Sequence, residues 1–145
     1  MVGLRYTRQH DLGIVKLWNS YLSMAQISMF EIKDKKLRCT WPVEMGSLTV
    51  SRFFIDHGSD INSRNGDGFN SLHLASRYGH VAVARMLIDC GADVNTSKED
   101  QWTLLHLASH SGHLGTAKLL IDRGANVDRQ NVKQETPLDL ASWFG

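Results

Sequence analysis

DGFNSLHLASRYGHVAVARMLIDCGADVNTSKE, residues 67–99, runs directly into DQWTLLHLASHSGHLGTAKLLIDRGANVDRQNV, residues 100–132. Asp67, Leu72, His73, Leu74, Ala75, Ser76, Gly79, His80, Ala84, Leu87, Ile88, Asp89, Gly91, Ala92 and Val94 each recur 33 residues further on. Most other pairs are conservative, such as Arg85/Lys118 and Met86/Leu119. A third copy begins as QETPLDLASWFG, residues 134–145, where Leu138, Ala141 and Gly145 hold the same register. Self-similarity at this period marks a stack of small units.

The physics of one unit follows from its residues. Asn70, Thr103 and Thr136 each stand just before an apolar run, where a side-chain oxygen can accept from an orphan backbone N–H and start a helix. Thr136 and Asp139 have the spacing of a capping box, and Pro137 falls at the first helical position, which tolerates proline. The first helix, SLHLASRY or LLHLASHS, is short and ends at Gly79 or Gly112. A second helix follows, with Val83, Leu87 and Ile88 on one side, and stops at Gly91 or Gly124, where a left-handed residue can close it. An extended turn leads to the next cap. A unit of this size cannot bury its own apolar faces, so neighbours must lean together into a continuous core.

These residues resemble the ankyrin repeat, in the strings NSLHLASRYGH…LIDCGADVN, TLLHLASHSGH…LLIDRGANVD and TPLDLASWFG. The resemblance implies an all-α solenoid of stacked helix-turn-helix units joined by extended β-turn or hairpin loops. Its units are expected at residues 65–97 and 98–130, with a truncated one at 131–145. A degenerate unit at 32–64 precedes them: GSLTVSRFFIDHGSDIN (residues 46–62) reads as a second helix and its closing turn. Its first helix reads CTWPVEM, with Pro42 where Ala75 and Ala108 stand, so that helix is expected to be shortened or lost. Residues 1–31 are expected to form an N-terminal helical or degenerate capping segment, because Ile14, Leu17, Trp18, Tyr21, Leu22 and Ala25 lie on one helical stripe.

Charge argues against nucleic acid. The formal net charge is +1, but residues 1–38 carry seven Lys/Arg against three acids, and residues 39–145 carry nine against twelve. A mildly acidic repeat region is a poor footprint for a polyanion, and the basic front has no recognisable motif. No secretory signal and no run long enough to span a bilayer are visible, so an intracellular protein, cytoplasmic or nuclear, is expected. Cys39 and Cys90 form no CxxC, and reduced thiols are expected.

No chemistry rises above this pattern. The histidine pairs His73/His80 and His106/His113 recur with the units, which indicates imidazoles bonding turn backbone instead of metal ligands. GxSxG, HExxH, GxxxxGK[ST] and GxGxxG do not occur. The chain is therefore read as a non-enzyme without cofactor, metal, membrane or small-molecule substrate.

The resemblance implies a scaffold that meets a protein partner through its turn tips and the exposed side of its first helices. On this sequence those positions are Asp67, Phe69, Arg77 and Tyr78, then Glu99, Asp100, Trp102, His110 and Ser111. Trp143 and Phe144 follow in the last unit. Aromatics and arginine are enriched at interface hot spots, which favours Phe69, Trp102, Tyr78 and Arg77, although Phe69 and Trp102 could equally shield the turns. The resemblance further implies Asn62 and Asn95 as possible hydroxylation sites, against a turn-stabilising role for the same side chains. The alternative reading is a piece of a larger ankyrin-containing enzyme, channel or signalling protein whose activity lies outside these residues.

Overall fold

A computed structural model describes residues 40–144 except 45 and 57. The expected segment at 1–31 lies outside the described residues. Seven helices are found among them: α1 (Thr40–Glu44), α2 (Leu48–Asp56), α3 (Ser71–Tyr78), α4 (Val81–Asp89), α5 (Leu104–His110), α6 (Leu114–Asp122) and α7 (Pro137–Phe144).

Helices α3, α5 and α7 begin where a side chain satisfies a free N–H group, whereas α4 and α6, entered at His80 and His113, have no side-chain cap. The Asn70 side chain accepts from the His73 backbone N–H, and the Thr103 hydroxyl accepts from that of His106. At α7 the Thr136 hydroxyl accepts from the Asp139 N–H, while the Asp139 carboxylate accepts from both the backbone N–H and the hydroxyl of Thr136. Those bonds favour the ionised carboxylate and hold the Asp139 pKa below its ordinary value.

The second helices all end alike. Gly58, Gly91 and Gly124 sit at φ 81°, 96° and 87°, and donate to Ile55, Ile88 and Ile121. The following residues, Ser59, Ala92 and Ala125, donate back to Phe54, Leu87 and Leu120. This double bond is the Schellman closure, and it recurs unchanged three times.

Packing makes two layers. The first helices form one row, α1 against α3, α3 against α5 and α5 against α7. The second helices form the other, α2 against α4 and α4 against α6, with each pair closed by its own α1–α2, α3–α4 or α5–α6 contact. Helix α3 is covered by neighbours on three sides, so Ser71 through Ser76 are all buried. Leu72, Leu87, Leu104 and Leu120 have no exposed surface. Removing each such side chain from water stabilises the stack by roughly 1.5–3 kcal/mol. Ala75 and Ala108, also wholly buried, keep the first helices close.

Pro42 lies within α1, whose described residues are helical from Thr40 to Glu44, so the first helix of this unit is not lost. The last unit departs from a simple reading of its apolar residues. Leu140 is buried against the stack, whereas Leu138, on the open side, is 75% exposed.

Candidate functional site

Between units the chain makes a three-residue hairpin tip, built twice more with the same bonds. Gly68, Gln101 and Gln134 donate to the carbonyls of Asn65, Lys98 and Asn131. The N–H groups of those same three residues donate to Phe69, Trp102 and Glu135. This is a type I turn closed by a left-handed residue. Gly68 takes that position at φ 79°, but Gln101 and Gln134 are forced to φ 62° and 64°. Asn65 and Asn131 brace their tips, their side-chain oxygens each accepting two backbone N–H groups. At the middle tip the equivalent residue is Lys98, and the Asp100 carboxylate accepts from the Trp102 N–H in its place.

Lys98 serves a different purpose. Its ammonium lies 4.1 Å from the centroid of the Phe69 ring, with Asp100 at 3.8 Å, while the Arg77 guanidinium stands 5.5 Å from the same ring. Arg64 clamps the two tips, donating to the Gly68 and Ser97 carbonyls at 2.9 Å each. Between the tips lies a shallow cleft of about 290 Å³ lined by Gly66, Asp67, Gly68, Lys98, Glu99 and Asp100.

The sequence-derived contact residues divide sharply in this setting. Asp67 and Glu99 are exposed and Asp100 is half-buried, all three on the cleft. Phe69 is buried, its ring part of the core under the two cations. Trp102 is half-buried, packed against the core and edge-on to His110 at 5.3 Å. Arg77, Tyr78 and His110 are exposed and Ser111 is half-buried. Trp143, at the same register as Arg77 and His110, is 74% exposed. Arg64 and Lys98 were not singled out by sequence; the signal available was the break at Lys98 in the asparagine that otherwise recurs at 65 and 131.

The histidines bind turn backbone at two places. The His106 Nε2 lies 2.9 Å from the Glu135 carbonyl, and the His80 Nε2 lies 3.3 Å from that of Glu44. The His73 Nε2 is buried with no partner. Burial first, then the Arg64 and Lys98 charges, push the His73 pKa down to about 4. Burial lowers that of His106 too, opposed by the Glu135 carbonyl bond.

Asn95 is exposed, yet its side chain spans two units. Its Nδ2 donates to the Gly124 carbonyl and its Oδ1 accepts from the Asn126 N–H. Asn62 is exposed too, with its backbone N–H bonded to the Asp60 carboxylate. The Cys90 thiol is free and half-buried. No helix among the described residues is long and apolar enough to cross a membrane.

Helix pairs stacked at one period, each closed by the same glycine motif and joined by the same hairpin, define an α-solenoid of interaction modules. A family model described as ankyrin repeats (3 copies) matches residues 39–98, and one described as ankyrin repeats (many copies) matches residues 78–121 and 105–145. The chain belongs to the ankyrin-repeat family, whose repeats generally mediate protein–protein interaction and are generally non-catalytic. Comparison with curated proteins returns no match.

Proposed function

We propose that this chain is a non-catalytic scaffold that binds a protein partner across the C-terminal ends of its first helices and the adjoining turn tips. One observation carries the reading. Helices α3 and α5 are buried through Ser76 and Ala108, and only their last residues emerge, as Arg77 with Tyr78 and as His110. Trp143 continues the line on α7. These positions differ from unit to unit while the buried residues before them recur, and they present the side chains suited to interface anchors.

Trp102 forms a half-buried wall beside His110, and Asp67 and Glu99 add negative charge at the tips. Phe69 contributes indirectly, by holding Arg77 and Lys98 in place through its ring. The partner is thus a protein surface offering apolar contact to the floor and basic groups to the rim.

The test is an affinity capture with the intact chain, run beside two variants. Tyr78→Ala with Trp143→Ala removes exposed anchors, while Arg85→Ala with Lys118→Ala changes exposed residues of the second helices. The reading expects the first variant to lose retained partner by about tenfold or more and the second to keep it. Loss through the second variant alone would overturn it.

A further inference from the structure

His73 and His106 occupy the same place in consecutive units, and both are wholly buried. Their bonding differs because their caps differ. The Thr103 hydroxyl is both donor and acceptor: it accepts from the His106 backbone N–H and, 2.7 Å from Nδ1, gives its own proton to the ring. The His106 ring is then neutral with its proton on Nε2, which donates to the Glu135 carbonyl of the next tip. Both nitrogens are satisfied.

Asn70 cannot do the same. Its Oδ1 accepts from the His73 backbone N–H and also lies 2.6 Å from Nδ1. An amide oxygen only accepts, so that contact requires the ring proton on Nδ1. The Asn70 backbone N–H, 3.3 Å from Nδ1, then loses its acceptor, and Nε2 is left as a bare lone pair with no donor. The carbonyl equivalent to that of Glu135 is the Trp102 carbonyl; each accepts an N–H within its own tip, from Lys98 and from Asn131, but only the Glu135 carbonyl also meets a ring nitrogen.

We propose that the joint between α3 and the 96–103 turn is an acid-sensitive latch in the stack, held shut by the neutral His73 ring and released when Nε2 takes a proton. A second proton on His73 would be an N–H donor with no acceptor, enclosed in a core where an unpaired charge is costly. Water reaches it only if the turn lifts away.

The surrounding charges offer little relief. Glu44 on α1, Arg85 on α4 and His106 on α5 belong to the helices packed against α3, and Arg64, Lys98 and Asp100 to the flanking turns. Arg64 and Lys98 oppose a cation at His73 and only Asp100 favours it. Asp100 is already shared between the Trp102 N–H and Lys98.

The unfolded chain takes up this proton at the ordinary 6.5 and the folded chain only near 4. Between those values the open form binds more protons, so the contribution of His73 is complete above 6.5 and is lost as pH falls toward 4. At pH 5 the open form is favoured about thirtyfold more than at pH 7.5.

Hydrogen exchange on the intact chain, corrected for intrinsic rates, tests this. Opening of the α3 and 97–103 amides in the wild type is expected to rise about thirtyfold between pH 7.5 and pH 5. In His73→Gln, whose side chain can still cap, that rise should shrink to a few-fold. An equal acid response in His73→Gln, or none in the wild type, overturns the proposal. Should His73→Gln fail to fold, the His73 ring in the wild type is titrated by NMR. A midpoint below 5 supports the latch, and a midpoint of 5 or above overturns it.

Discussion

Gly79 lies directly under the imidazole of His113. A Cβ built on Gly79 would stand 2.6 Å from the His113 Nδ1, and one built on Gly46 would stand 2.6 Å from the His80 Cε1. Gly46 and Gly79 therefore serve two ends: each lies in the left-handed region after its first helix, and each leaves room for the ring of the next unit, whereas Gly112 has nothing within 4 Å.

Gly79→Ala should accordingly cost more than backbone strain alone. Gly68 has a similar φ of 79° but nothing within 4 Å of its Cβ position, so Gly68→Ala isolates the conformational cost of about 1 kcal/mol. For Gly79→Ala, adding displacement of the His113 ring, roughly 2–4 kcal/mol is expected by urea denaturation. Equal losses at the two sites would show that the ring contact is immaterial.

Gln101 and Gln134 sit where Gly68 does, at φ 62° and 64°. Gln101→Gly and Gln134→Gly should each stabilise the chain by about 0.5–1 kcal/mol, the relief of strain exceeding the added unfolded-state freedom. Thermal melts read this as an upward shift. A downward shift would mean that the glutamine side chains hold the tips.

Asn70→Thr should convert the first cap into the pattern seen at Thr103, supplying a hydroxyl proton to the His73 Nδ1. Because this moves the ring proton to Nε2, which has no acceptor, little net gain is expected, whereas Thr103→Asn should cost about 0.5–1 kcal/mol. A stabilising Thr103→Asn would contradict the hydrogen-bond assignment.

Asn95 joins two units through the Gly124 carbonyl and the Asn126 N–H. Asn95→Ala removes both bonds and should cost about 1–2 kcal/mol, while Asn62→Ala should cost less. Denaturant midpoints compare the two directly; the reverse order would assign the structural role to the wrong asparagine.

Much of this architecture is written in local spacing. The caps at Asn70, Thr103 and Thr136, and the closing glycines at 91 and 124, depend on neighbours within a few residues, and periodicity exposes them. What spacing could not show depends on residues a whole unit away. Phe69 looks like an exposed anchor until Arg77 and Lys98 are placed over its ring. Leu138 and Leu140 are alike on paper, and only the position of α5 decides that one is buried. His73 and His106 are identical letters in identical contexts, separated by whether the cap can give away a proton.

Hydrogen exchange distinguishes directly which face of the stack meets a partner. With a captured partner bound at saturation, hydrogen exchange should slow at residues 77–78, 98–102 and 110–111, and remain unchanged along the exposed side of α4 and α6. Protection confined to α4 and α6, with the ends of α3 and α5 exchanging as freely as before, would contradict it.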